Sequence, residues 1–201
     1  MKPFRNITPK RTCAHKYKEY SAYKPYLRSD FSKRCGYCDD IDTLCGGARG
    51  FHIDHFRPRS PFNHLSNEYN NLVYACPYCN GAKSNDWPSG KEDIAVLDDG
   101  RGYIDPCDLD FDKHFERHNN GRIRPKTEIG KYMYKQLKLG LRRHQLAWAR
   151  EQLGNSLREL LDELEKTELD SNTPVVVEAK NHLTRLIAEF FKYQNLFEET
   201  I

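Results

Sequence analysis

The chain has 201 residues, 30% of them charged and 38% hydrophobic, with a formal net charge of +3. That length holds one ordinary domain, or a small site-bearing domain with a helical extension. The apolar runs are too short for a transmembrane helix, and the opening Met1-Lys-Pro-Phe-Arg-Asn6 lacks the apolar core of a signal peptide. A cytoplasmic protein with reduced cysteines is therefore expected, with no membrane partner.

Residues 1–15 carry Pro3 and Pro9 without periodicity and read as an extended arm. Tyr20, Tyr23, Leu27 and Phe31 recur at helical spacing and predict a short amphipathic helix, with Pro25 at or near its start. Cys35-Gly-Tyr-Cys38 follows, then a turn-rich connector ending in Gly46-Gly47 and Gly50. His52 to Phe56 predicts a strand stopped by Pro58 and Pro61, and Leu72 to Ala75 a second strand after a loop. Cys76-Pro-Tyr-Cys79 then opens a short helix, with Pro77 in its first turn and Cys79, Asn80 and Lys83 along it.

Trp87-Pro88, Asp98-Asp-Gly100, Asp105-Pro106 and Asn119-Asn-Gly121 punctuate residues 84–125, and Arg117 to Arg124 predicts a β-hairpin. The remainder reads as helical. A short stretch covers Tyr132 to Leu137, and an apolar stripe then runs from Leu146 to Leu164. Thr173-Pro174 caps and starts a further helix whose apolar face ends at Phe197. The two long helices predict an antiparallel hairpin. The expected fold class is α+β, divided into a basic arm and short helix (1–34), a zinc-stabilised site domain (35–125) and a helical extension (126–201).

Seven cysteines are an odd number for a disulfide framework, and four stand as two Cys-x-x-Cys pairs. Cys35, Cys38, Cys76 and Cys79 have the spacing of a structural Zn²⁺ site. The 37 residues between Cys38 and Cys76 exceed what a simple ribbon needs, and they contain His52, Asp54 and His55. The βαβ context of a thioredoxin-type redox pair is absent.

The net charge hides an asymmetry. Residues 1–34 hold ten Lys/Arg against two acids, residues 35–121 eight against fifteen, and residues 122–150 nine against one. Two basic flanks around an acidic, metal-binding middle point to a polyanion, with Lys10, Arg11, Arg142 and Arg143 as candidate phosphate contacts. The plainer use of either flank alone is to keep helix faces solvated.

Cleaving a phosphodiester takes an attacking water, relief of the extra charge and a cation on the leaving oxygen. His55 is the candidate base whose reference pKa lies near neutrality. Asp54 and Asn80 offer hard oxygens suited to Mg²⁺ or Mn²⁺, few enough to leave room for water and phosphate. Arg57 and Lys83 are candidate phosphate contacts, with a structural ion pair the other use of Arg57.

These residues resemble the HNH, or ββα-metal, endonuclease family. The resemblance rests on Asp54-His55 ending a strand, Asn71 opening the next, Asn80-Gly-Ala-Lys83 on the helix and the two flanking knuckles, and it covers about residues 35–85. It implies a ββα-metal core with zinc knuckles, DNA as substrate, products with 5′-phosphate and 3′-hydroxyl ends, and Asn71 as the residue positioning the loop that orients His55. A looser likeness through Tyr103-Ile-Asp-Pro-Cys107, His114-Phe115 and the Gly121 hairpin is to stand-alone bacterial HNH proteins, some of which act beside ATPases in anti-phage defence of the Septu type.

Competing uses stand beside these. His52 is expected as a packed core histidine, or else as support for Asp54 or a phosphate. His114 and His118 fit a hairpin better than a metal site, and Cys107 fits as a small packed hydrophobe. The aromatic residues of the amino-terminal arm are expected to pack on the domain, with stacking on bases as their other use. The rival to a nuclease is a zinc-dependent nucleic-acid-binding module without catalysis. A third reading is an effector subunit whose helical hairpin meets a partner protein, such as a defence ATPase, or a second copy.

Overall fold

The computed structural model describes residues 4–166 and 173–200 and has an α+β architecture. Two compact units divide it, Met1–Leu141 and Arg142–Ile201. The first contains α1 (Lys24–Asp30), β1 (His52–His55), β2 (Leu72–Ala75), α2 (Pro77–Lys83), β3 (Phe115–Arg117), β4 (Ile123–Pro125) and α3 (Glu128–Gln136). The short helix expected around Tyr132 is α3. Thr127 caps it by accepting from the Gly130 amide at 3.1 Å, and it groups with the first unit instead of the helical extension.

β1 and β2 pair antiparallel with His52 opposite Ala75 and His55 opposite Leu72. All four residues of β2 are buried, because α1 packs against it and the first knuckle closes its edge. Each fully buried apolar side chain of this kind contributes about 1.5–3 kcal/mol. The Gly36 amide donates to the Tyr74 carbonyl at 2.9 Å. A Cβ at Gly36 would lie 2.7 Å from Phe31 Cε1 and 2.8 Å from Val73 Cγ1, so the knuckle reaches β2 only with glycine there. The tyrosine–leucine–phenylalanine stripe is realised as a 3₁₀ turn at Tyr20–Tyr23 running into α1, with Tyr23, Leu27 and Phe31 buried.

Of the expected arm, residues 1–3 lie outside the described residues, and residues 4–19 form no helix or strand. Two buried arginines fasten it. Arg5 donates to Asp112 Oδ1 (2.7 Å), the Gly36 carbonyl (3.1 Å) and the Pro106 carbonyl (3.0 Å). Arg117 on β3 donates to the carbonyls of Phe4 (3.4 Å), Gly121 (3.0 Å) and Cys38 (2.9 Å). One guanidinium thus joins the arm, the β3–β4 hairpin and the first knuckle. Phe4, Phe111 and Phe115 pack around these groups, as expected for the aromatic residues of the arm.

The second unit is a hairpin of α4 (Arg142–Lys166) and α5 (Pro174–Glu198). The helices run antiparallel. Arg143, near the start of α4, stacks on Phe197 near the end of α5, and Arg150 one to two turns later meets Phe190. Pro174 begins α5 as expected, but the Thr173 side chain makes no cap hydrogen bond. Among the described residues, no helix is long and apolar enough to cross a membrane.

Candidate active site

Two strands and a helix converge on two adjacent features, a cysteine cluster and a polar cleft. Cys35, Cys38, Cys76 and Cys79 are all buried, and their sulfur atoms lie within 4.8 Å of one another. Cys38 Sγ and Cys76 Sγ are 3.7 Å apart. A tetrahedron of Zn–S bonds of about 2.3 Å has edges of about 3.8 Å, so the tetrad already has the dimensions of a structural zinc site. Cys76 also caps α2, its sulfur accepting from the Cys79 amide at 3.4 Å. A zinc ion held there would tie the first knuckle, Cys35 and Cys38, to the corner where β2 passes into α2, and so steady the helix that carries Asn80.

The cleft, about 280 Å³, is lined by Asp54 and His55 of β1, Pro58 and Arg59 after it, Asn80 and Gly81 of α2, and Ser84 and Asn85 beyond. His55 Nε2 lies 2.9 Å from the Ser66 carbonyl. A carbonyl only accepts, so Nε2 carries the proton and Nδ1 keeps its lone pair. Burial, with the nearby charges of Arg59 and Lys83, holds the His55 pKa below the usual histidine value, against the opposing pull of the Ser66 carbonyl and Asp54. The Tyr20 ring meets the imidazole edge-on at 4.8 Å and fixes its plane. The ring is therefore neutral near pH 7, with one tautomer selected.

Asn71 staples the loop that supplies Ser66. Its Oδ1 accepts from the Arg57 amide (2.8 Å), and its Nδ2 donates to the Arg57 carbonyl (3.0 Å) and the Leu65 carbonyl (3.4 Å). Asp54 accepts from Tyr37 Oη at 2.5 Å and pairs with Lys83 Nζ at 3.1 Å, both on Oδ2. Its Oδ1 is less occupied, with Lys83 Nζ at 3.5 Å. Asn80 Nδ2 donates to His52 Nδ1 at 3.3 Å, which turns the amide oxygen away from that bond.

Several expected residues lie elsewhere. His52 is exposed and not packed in the core, because it stands at the open first position of β1, whose burial rises along the strand toward Asp54 and His55, and there it supports Asn80. Lys83 is fully buried, donating to the His55 carbonyl at 2.8 Å as well as pairing with Asp54, so it is out of reach of a phosphate. Arg57 donates to the Glu92 carbonyl at 2.8 Å and lies over the rings of Phe56 and Trp87, a structural use, though through a carbonyl and two rings and not the expected ion pair. Arg11 donates to the Leu72 carbonyl and to Asp105 Oδ2, each at 2.9 Å, with a buried side chain. Arg143 is buried over the Phe197 ring. Lys10 and Arg142 remain exposed.

The guanidinium that faces the cleft is Arg59, exposed and 5.7 Å over the Tyr20 ring. Sequence reasoning missed it; its signal was its place two residues beyond Arg57, past the proline that ends the β1 exit. His114 hydrogen-bonds Thr127 at 2.7 Å and Cys107 is half-buried against the core, so both serve the scaffold.

Comparison with curated proteins gives no match. A scan against protein-family models matches residues 34–86 to HNH endonuclease, the span that holds the tetrad, β1, β2 and α2. That match and the cysteine cluster agree: residues 34–86 are similar to HNH endonuclease domains, a type that serves nuclease or nucleic-acid-binding function, and the four clustered cysteines fit a zinc-stapled form of it.

Proposed function

We propose that the protein is a metal-dependent endonuclease that hydrolyses phosphodiester bonds in DNA. The observation that carries this reading is the tautomer of His55. A neutral imidazole with Nε2–H tied to the Ser66 carbonyl presents Nδ1 as a base in a cleft that also holds Asp54 and Asn80. Pure binding needs none of these together.

His55 accepts the proton of the attacking water at Nδ1, and the Ser66 carbonyl stabilises the imidazolium that results. Asn71 is a positioning residue acting through the Arg57–Ser66 loop. Asp54 Oδ1 and the Asn80 amide oxygen are the groups to hold a Mg²⁺ or Mn²⁺ ion, which when bound supplies Lewis-acid stabilisation of the phosphate. Lys83 and Tyr37 fix the Asp54 carboxylate and offset its buried charge. Arg59 neutralises the phosphate at the cleft mouth, and Lys10 and Arg142 draw the polyanion toward the protein. The protein is assigned to the cytoplasm, where the tetrad thiols stay reduced.

The decisive experiment incubates the purified full chain with supercoiled plasmid DNA and Mg²⁺ or Mn²⁺, beside a His55→Ala control. Metal-dependent nicking that the substitution abolishes supports the reading. Equal nicking by both proteins removes it and leaves the zinc-dependent binding module as the better account.

A further inference from the structure

The β3–β4 hairpin and α3 enclose a second cleft, of about 400 Å³, that no step at His55 uses. Its size falls in the range of small-molecule sites, about 300–1,000 Å³. The lining includes His118, Arg122, Ile123, Arg124, Pro125 and Tyr134. The hairpin builds it by alternation. Ile123 is buried, so Arg122 and Arg124 on either side of it turn outward together. The His118 amide donates to the Arg122 carbonyl (2.9 Å) and the Arg122 amide to the Asn120 side-chain Oδ1 (3.1 Å), which fixes the backbone of the first arginine at the turn.

The charge there is positive. Glu116 is the nearby carboxylate, 3.8 Å from Arg124 Nη1 and 4.0 Å from His118 Nε2. Arg122 has no ion-pair partner among the described residues. The rest of the lining is apolar and aromatic, made by Ile123, Pro125 and the half-buried Tyr134. Gly140 backs that tyrosine so closely that a Cβ there would lie 2.3 Å from its hydroxyl. The hydroxyl end of the ring therefore takes the room that a side chain at residue 140 would need. A bare anion site has no use for such a ring. Two guanidiniums and an aromatic face in the lining of one cleft match a phosphate joined to a base.

We propose that this cleft binds one nucleotide of a single-stranded nucleic-acid flank, its phosphate on Arg122 and Arg124 and its unpaired base against Tyr134. The proposal rests on the nuclease reading of the His55 cleft and names a second anchor for the same substrate. A base paired in a duplex keeps both faces stacked on its neighbours, so the cleft selects an unpaired one.

The test is fluorescence anisotropy of a labelled oligothymidylate on the full-length, zinc-loaded His55→Ala protein across a salt series. Arg122→Ala with Arg124→Ala should weaken binding roughly tenfold and flatten the log–log salt slope by about 1.4, the counterion release of two single-strand phosphates. Tyr134→Leu should weaken it about fivefold or more, while Tyr134→Phe, which keeps the ring, should leave it unchanged. Circular dichroism on each variant guards against unfolding. Unchanged affinity and slope in the arginine pair overturn the site. Equal losses for oligothymidylate and a matched duplex on Tyr134→Leu overturn the unpaired base. If oligothymidylate does not bind but wild-type protein nicks plasmid in a His55-dependent way, this cleft fails and the nuclease reading stands. If plasmid is neither bound nor nicked, the nuclease reading fails first.

Discussion

Lys83 Nζ lies 3.1 Å from Asp54 Oδ2, both side chains are buried, and the two residues come from α2 and β1. The pair joins helix to strand beneath the cleft, and Tyr37 completes it from the first knuckle. Removing one member of a buried pair strands the other charge, at a cost of about 3–5 kcal/mol. Lys83→Met should therefore lower the unfolding free energy by that order in urea titration. It should leave the salt slope of DNA binding unchanged. A stable variant with a flattened slope would instead place Lys83 on phosphate.

The pH dependence follows from His55. Its pKa lies below the usual histidine value because burial disfavours the imidazolium, with Arg59 and Lys83 adding to the effect. The base is therefore already unprotonated at neutral pH. Cleavage should rise with pH through an apparent pKa below about 6.5 and be flat above it. Folding has the same sign: a neutral buried histidine supports the fold above its unfolded pKa, and that support fades as pH falls. His55→Ala should cost about 10²–10⁴ in rate while binding persists. A pH–rate profile still climbing well above pH 7 would assign the base elsewhere.

The strands at 52–56 and 72–75, the capped helix at Pro77 and the tetrad were legible because each is written locally, in alternation, a first-turn proline and cysteine spacing. Charge was legible only as a total. Arg11 and Arg143 counted as phosphate contacts because formal charge carries no burial. Yet Arg11 serves the Leu72 carbonyl, 61 residues away, and Arg143 covers Phe197. Lys83 failed for the same reason, since its partner Asp54 is met only once α2 folds onto β1. His52 went wrong on a prior: strand histidines are commonly buried, but this one opens β1, and burial sets in only toward the strand's far end at Asp54 and His55.

The zinc tetrad carries a prediction about order of failure. Cys76 both belongs to the cluster and accepts the Cys79 amide, so Cys76→Ser should release zinc while a hydroxyl still caps α2. Elemental analysis should find one zinc per wild-type chain and less in the variant. Thermal unfolding should shift down in the variant and in chelated wild-type protein alike. Mg²⁺ should not restore the chelated protein, whereas Zn²⁺ should. Full zinc-free stability would remove the structural role.

Arg57 and Arg59 stand two residues apart and should behave oppositely. Arg57 is spent on the Glu92 carbonyl and on the faces of Phe56 and Trp87, so Arg57→Ala removes packing and a charged hydrogen bond. A charged hydrogen bond of that kind contributes about 1.5–3 kcal/mol, and the loss should appear as lower thermal stability with cleavage per folded molecule nearly intact. Arg59 lines the cleft and lies over the Tyr20 face, whose ring in turn fixes His55. Arg59→Ala should leave the melting temperature within a degree or two, by the small effect expected of an exposed side chain. It should also weaken binding to DNA, lower cleavage and reduce the salt slope by about 0.9, one duplex phosphate's worth of counterions. A second signature separates contact from indirect support. Arg59 lowers the His55 pKa through its charge, so Arg59→Ala should move the acid limb of the pH–rate profile upward. Arg59→Lys should restore that limb and most of the slope, because both depend on charge and not on the fork of donors. If Arg59→Ala cleaves at the wild-type rate with an unshifted limb, the phosphate at this cleft is neutralised by some other group.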